Sequence, residues 1–167
     1  MKNCLVIYFL FLSISVFAHT QNEGSLAVHQ VSNENLIRSV FPQADKAERI
    51  NEYWFGIIDK NGKVLGYALS SKPYCWNIRG YYGETPVVII TDKQFIIRKI
   101  ALLSHRESLT YVKMLEKNGF FKLWEAKSFL EAISVKTDAF SGATQTAKAI
   151  GENVSFLLDK GSKSMPY

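Results

Sequence analysis

The chain predicts a single α+β domain in which an antiparallel sheet, built from two hairpins, carries packed helices. Two observations give this class: strand-like segments around two turn sequences fill the middle of the chain, and apolar residues at helical spacing follow them. The composition agrees, because 47% of the 167 residues are hydrophobic and 21% are charged, as is usual for a globular domain.

The first predicted elements are a short helix and a hairpin. Asn33 or Asn35 is expected to cap the helix, whose apolar residues recur at helical spacing. Residues 53–58 and 63–70 are predicted strands, since the Asn-Gly pair between them is a strong signal for a hairpin turn.

The second predicted hairpin joins residues 86–91 to residues 95–103 through a polar turn. Residues 87–90 within it are Val-Val-Ile-Ile, without a polar alternation. Such a continuous apolar run predicts a strand that is covered on both faces of the sheet.

The segment after His105 is predicted to be mainly helical. Apolar residues between positions 109 and 124 suit one or two helices packed on the sheet, and the apolar run 129–135 indicates a further strand. Apolar residues spaced by 3 and 4 predict a last helix over 143–159. Gly161 is expected to end that helix, which leaves 162–167 as a flexible tail.

Residues 1–18 are predicted to be a signal peptide rather than part of the fold. Lys2 precedes an apolar run that ends in Val16-Phe17-Ala18, a small-residue cleavage pattern. The run is shorter than the roughly 20 residues of a membrane-spanning helix. We therefore expect an exported, periplasmic or extracytoplasmic domain over 19–161; an uncleaved N-terminal membrane anchor is the alternative.

Charge and cysteine content exclude several classes of function. The net charge is only +5, and the basic residues are scattered among acids, so no nucleic-acid partner is predicted. Cys75 is the only cysteine after the predicted signal peptide, so it is expected to be a buried small hydrophobe. The three histidines lack metal-ligand spacing, and no metal site is predicted.

The segment before the last predicted helix contains the residues best suited to bind a ligand. Helix N-termini present free N–H groups to anions, glycine allows close approach of the backbone, and hydroxyl groups bond phosphate oxygens. A capped helix start without a ligand is the alternative. The residues concerned are Asp138, Ser141, Gly142, Ala143, Thr144 and Thr146.

The pattern Asp-x-x-Ser-Gly-Ala-Thr-x-Thr in this segment resembles the flavinylation motif of the FMN-binding domain family. That family includes the C subunit of the sodium-translocating NADH:quinone oxidoreductase, the G subunit of the Rnf complex and small exported proteins. The resemblance covers about residues 78–158. It implies that FMN is bound covalently, through a phosphoester to Thr146, and that a dedicated flavin transferase forms this bond outside the cytoplasm. Asp138 would position the motif, hold a cation during transfer, or cap a turn.

Two upstream segments extend the resemblance. Gly80-Tyr81-Tyr82-Gly83 matches a Gly-Tyr-x-Gly turn, and His105 and Glu107 match a His-x-Glu-Thr segment, with serine in place of the threonine. The Pro-Gly that often follows is absent, so the loop there is expected to differ. The resemblance implies that Tyr81, His105 and Glu107 lie at the flavin. Otherwise His105 has a structural role, and Glu107 caps the next helix or pairs with Arg106.

Aromatic side chains near these segments are candidates for stacking on the flavin ring. Tyr81, Tyr82, Trp76 and Phe140 are the residues concerned, and ordinary packing is the alternative for each.

The sequence therefore predicts an exported flavoprotein that transfers electrons with a membrane or exported redox partner, rather than a stand-alone enzyme. The alternative is a non-redox binding or scaffold module with a degenerate flavin site.

Overall fold

The sheet is an antiparallel meander in which each strand pairs with the next along the chain. The computed structural model describes residues 32–137 and 145–166, and within them five strands lie in the order β1-β2-β3-β4-β5. The strands are β1 (Ala44–Arg49), β2 (Trp54–Asp59), β3 (Val64–Ser70), β4 (Val87–Asp92) and β5 (Ile97–Leu102). The described helices are α1 (Asn33–Val40), α2 (Leu109–Lys117), α3 (Phe129–Ala132) and α4 (Gln145–Ser162). The α+β prediction, with both hairpins, is confirmed.

Helices cover both faces of this sheet. The larger apolar cluster packs residues of α2, α3 and α4 on one face, and α1 packs on the other. Strand β4 shows the division, because Val87 and Ile89 belong to the first cluster and Val88 and Ile90 to the second. The continuous apolar run therefore forms a strand buried on both sides, as predicted.

The N-cap of helix α1 precedes both predicted caps, Asn33 and Asn35. The Ser32 side chain accepts a hydrogen bond from the backbone N–H of Asn35 at 3.3 Å, so Ser32 is the N-cap. Serine and asparagine are about equally good N-caps, and the sequence alone did not discriminate between them.

Strand β1 was not predicted. Its sequence Ala-Asp-Lys-Ala-Glu-Arg buries only the first residue, Ala44, although it pairs with β2 from Ala44 opposite Asp59 to Arg49 opposite Phe55. An exposed edge strand has no apolar alternation, and its charged side chains keep the open edge soluble.

The strand predicted over 129–135 is wrong, because this segment contains the short helix α3. The Ser128 side chain accepts from the Glu131 N–H at 3.2 Å, and the Glu131 carboxylate accepts from the Ser128 N–H at 2.9 Å. This reciprocal pair is a capping box, which starts a helix and outweighs the strand propensity of the apolar run.

The prediction that the last helix ends at Gly161 is wrong, because α4 includes this residue and ends at Ser162. A Cβ at position 161 would lie 2.6 Å from Leu69 Cδ2 and 2.7 Å from Phe129 Cζ, so this helix position accommodates only glycine without a shift. The Gly161 carbonyl accepts from Trp54 Nε1 at 3.0 Å, which joins the end of α4 to β2. Beyond the helix, Met165 packs against the larger apolar cluster.

Cys75 is fully buried in a short 3-10 turn after β3, as its sequence context predicted. Burial raises the pKa of its thiol, with a smaller contribution in the same direction from Glu84. The folded state therefore holds the thiol proton more tightly than the unfolded chain. We expect the stabilisation from the buried thiol to be complete below a pH of about 8.5, which is the pKa of a cysteine thiol in an unfolded chain. It should be lost as the pH rises through the pKa of the thiol in the folded state.

Urea unfolding of the wild-type protein and of Cys75→Ala at pH 7.5 and at pH 10 measures this effect. The stability advantage of the wild-type protein should be smaller at pH 10. An advantage that does not change with pH would contradict the burial argument. Iodoacetamide labelling, read at the Cys75 peptide by mass spectrometry, should be slow in the native protein and fast in urea.

None of the helices in the described parts of the chain has the length and apolar character needed to cross a bilayer.

Candidate functional site

A tight turn at residues 80–83 forms the base of the site. The Gly80 N–H donates to the Gly83 carbonyl at 2.7 Å, and the backbones of Arg79 and Glu84 form an antiparallel β-bridge across the turn. A Cβ on Gly80 would lie 2.8 Å from Glu107 Cδ, so glycine is what allows the Glu107 carboxylate to approach the turn. The turn therefore directs successive backbone N–H groups at a single side chain.

That side chain is Glu107, which is only 1% exposed and accepts hydrogen bonds on both carboxylate oxygens. Its Oε1 accepts from the N–H groups of Tyr82 at 2.8 Å and Gly83 at 3.1 Å, and its Oε2 accepts from the Tyr81 N–H at 3.2 Å. Such a set of donors suits an ionised carboxylate, which only accepts. The sequence alternatives for Glu107, a helix cap or an ion pair with Arg106, are therefore wrong.

Thr146 provides the fourth donor to this carboxylate. It lies in the first turn of α4, is 2% exposed, and donates its hydroxyl hydrogen to Glu107 Oε2. The two residues are 39 positions apart in the chain, so only the tertiary fold brings them together. A buried hydroxyl beside a carboxylate held by backbone N–H groups is the chemical centre of the site.

Two further contacts fix the position of the centre. The Glu107 N–H donates to His105 Nδ1 at 3.1 Å, which ties the buried histidine to the backbone of the glutamate. From α4, the Asn153 amide donates to the Thr85 carbonyl at 3.0 Å and to Thr85 Oγ1 at 3.2 Å. The helix that carries Thr146 is thus hydrogen-bonded directly to Thr85, and it is linked to the turn at 80–83 through the Glu107 carboxylate.

A small cavity borders the Thr146 side chain. Its volume is about 130 Å³, and its lining includes Tyr81, Tyr82, Ser108 and Tyr111 together with the Thr146–Glu107 pair. The Tyr81 ring is 70% exposed and contacts the Tyr82 ring edge-on, with 4.8 Å between centroids. Because cavities that enclose small-molecule ligands usually exceed about 300 Å³, this one has room for a group of the size of a phosphate but does not enclose a three-ring system.

The structure brings four of the nine predicted site residues together. Thr146, Glu107 and His105 are linked by hydrogen bonds, and Tyr81 contributes its N–H to the carboxylate and its ring to the cavity. The predicted residues Asp138, Ser141, Gly142, Ala143 and Thr144, and the candidate ring of Phe140, lie outside the described residues.

Sequence reasoning missed the N–H groups of Tyr82 and Gly83 and the side chain of Tyr111. The Gly-x-x-Gly spacing of the turn was the available signal for the backbone donors, because tight turns commonly present convergent N–H groups to an anion. No sequence signal identified Tyr111, which reaches the cavity from the first turn of α2.

Fold and site together define an α+β domain that presents a buried hydroxyl–carboxylate pair at a phosphate-sized cavity. Residues 80–159 match the model of a family described as the FMN-binding domain, and this match includes Glu107 and Thr146. This stretch is thereby identified as an FMN-binding domain, and its expected ligand is FMN. No curated protein matches the chain.

Proposed function

We propose that the protein is an exported flavoprotein that carries FMN on Thr146 through a phosphoester and transfers electrons. The observation that carries the proposal is the hydrogen bond from the Thr146 hydroxyl to Glu107. A helical threonine commonly bonds a carbonyl of its own helix, whereas this one donates to a carboxylate from another part of the chain. A hydroxyl paired with a base that is itself oriented by further groups is the arrangement of an activated nucleophile.

The chain's own residues can perform their part of the attachment step. Thr146 Oγ1 would form the bond to the flavin phosphorus, and the phosphoanhydride bond of an activated flavin nucleotide, supplied by the transferase, would break, so that the rest of the donor would leave with its other phosphate. Glu107 receives the hydroxyl proton along the existing hydrogen bond and later releases it to solvent. Three backbone N–H groups hold the carboxylate in place throughout this transfer.

The surroundings of Thr146 fit the phosphate end of FMN. The cavity beside Thr146 is phosphate-sized, and the first turn of α4 provides the positive end of a helix dipole. The exposed ring of Tyr81 offers a stacking surface beyond the cavity. When bound, FMN would supply one- and two-electron transfer.

Mass spectrometry of the exported protein, produced together with a flavin transferase, tests the proposal. The intact mass should increase by FMN less one water, and peptide mapping should place the addition on the peptide that contains Thr146. The same spectrum should give an N-terminus at His19. A protein that remains unmodified while the transferase modifies a known acceptor in the same cells would contradict covalent attachment.

The near-complete burial of Thr146 favours one second candidate, a non-redox binding module. In that case the bond to Glu107 is only a structural latch between α4 and the turn at 80–83. A colourless but well-folded protein, with a cooperative unfolding transition, would support this candidate. A fluorescent flavin band that persists in a denaturing gel would exclude it.

A further inference from the structure

A second, larger cleft lies between the segment that precedes β4 and the residues that follow β5. Its volume is about 440 Å³, and the cations Lys72, Arg79 and Arg106 line it together with one acidic residue, Glu84. The cleft therefore carries a formal excess of two positive charges. It adjoins the turn at 80–83, because Tyr82 and Gly83 also line it.

What distinguishes these three cations is that they line one cleft. Four other exposed cations, Arg38, Lys46, Arg98 and Lys163, each contact a carboxylate. Within the described parts of the chain, the side chains of Lys72, Arg79 and Arg106 form no ion pair, and all three residues are exposed. Clustered, unpaired cations produce a local positive potential that attracts an acidic surface.

The same segment exposes aromatic rings, which soluble proteins usually bury. Trp76 is 71% exposed, and Tyr81 and Tyr82 are also exposed. Tryptophan, tyrosine and arginine are the residue types most enriched in protein–protein interfaces and in their energetic centres. A small anion would satisfy the charges but leave these rings in water, whereas a protein surface covers both.

The position of the cleft relates it to the attachment site. Tyr82 lines both this cleft and the cavity beside Thr146. A protein seated on the cleft therefore lies within one side chain of the place where the flavin is proposed to be bound. Electron transfer needs such proximity between the partner and the cofactor.

We propose that the cleft, together with the exposed rings of Trp76, Tyr81 and Tyr82 on the segment that lines it, forms the docking surface for the acidic face of a redox partner protein. The redox nature of the partner rests on the proposed function, but the docking itself does not. Steering by the cation cluster increases the rate of encounter, and the rings supply the apolar contact that retains the complex.

Calorimetric titration with an acidic plant-type ferredoxin as the probe tests the docking surface. The test variant is the triple charge reversal Lys72→Glu, Arg79→Glu, Arg106→Glu. The matched control is Lys60→Glu, Lys63→Glu, Lys93→Glu, which changes the net charge equally at the β-hairpin end of the sheet, far along β3 from the cleft. The urea unfolding midpoint of each variant is first compared with that of the wild-type protein. If the test variant unfolds at a lower urea concentration, it is replaced by the single reversals Lys72→Glu and Arg106→Glu.

At about 20 mM salt the test variant should bind the probe at least about tenfold more weakly than the wild-type protein does. The control variant should bind it less than about twofold more weakly. Glu84→Gln should bind the probe more tightly, because it removes the negative charge of the one acidic residue that lines the cleft. Trp76→Ala should weaken binding even at about 300 mM salt, where charge steering is screened. Equal losses in the test and control variants would overturn the proposal, since only net charge would then matter.

Two further outcomes would also overturn it. Saturable binding of inorganic phosphate that depends on the same three cations and competes with the probe would identify a small-anion site. Binding to vesicles containing phosphatidylglycerol, with the same dependence and without binding to the probe, would identify a membrane surface. All titrations are repeated with the Thr146→Val protein, which lacks the hydroxyl proposed to carry FMN. Binding of the probe to this variant would show that docking does not depend on flavin attachment.

Discussion

Thr146→Val is expected to abolish covalent FMN completely while leaving the fold intact. Valine has nearly the shape of threonine, so it fills the same space in the first turn of α4, but it has no hydroxyl to form the ester. Glu107 keeps its three backbone donors and loses one hydrogen bond, which is expected to cost about 1–2 kcal/mol of unfolding free energy. Intact mass and flavin fluorescence in a denaturing gel measure the loss.

Two companion variants make this result specific. Thr146→Ser retains a hydroxyl at the same position and should retain part of the flavin, because serine can also donate to Glu107. Thr110→Val removes an exposed hydroxyl from α2, away from the carboxylate, and should carry flavin like the wild-type protein. Flavin that persists in Thr146→Val, mapped to another residue, would refute the assignment of the acceptor.

Glu107→Gln is expected to produce the largest loss of stability among the site variants and to slow attachment. The glutamine side chain offers one acceptor oxygen, and its NH₂ group must face donors on the other side, whichever way it is turned. We expect the unfolding free energy to fall by about 2–4 kcal/mol, because hydrogen bonds to a buried charge are lost and donors are left unpaired. Without a proton acceptor, the rate of FMN attachment should also fall by about 100-fold.

Urea unfolding and a time course of FMN incorporation measure the two effects separately. Glu116→Gln makes the same chemical change at an exposed position of α2 and should be neutral in both assays. A Glu107→Gln protein that is destabilised but acquires flavin at the normal rate would show that Glu107 has only a structural role. The assay is run at a temperature where the variant is more than nine-tenths folded, so that unfolding does not mimic a slow reaction.

The sheet could be predicted where a strand is continuously apolar or where the turn chemistry is strong. The Asn-Gly turn located the hairpin of β2 and β3, and the apolar run at 87–90 identified β4 as buried on both faces. Strand β1 could not be predicted, because an edge strand with one buried residue lacks that signal. For α3 the signal was present in Ser128 and Glu131 but was outweighed by the apolar residues between and after them.

The site was predictable in its residues but not in its contacts. A sequence motif indicated Thr146, and the segment around His105 and Glu107 indicated those two residues. Only the fold shows that the glutamate binds the threonine hydroxyl, because the contact joins residues 39 positions apart. Tyr81 was predicted for its ring, yet its N–H is what holds the carboxylate.

The helix α4 makes the site dependent on the completed fold. Trp54 Nε1 donates to the Gly161 carbonyl across 107 positions of sequence, so the helix that contributes Thr146 docks through contacts with the early strand β2. The pairing of Glu107 with Thr146 forms only once that docking has occurred. A chain that is still emerging from a ribosome or a secretion channel lacks the hydrogen bond between Glu107 and Thr146. This requirement would restrict the attachment of the cofactor to molecules that have finished folding.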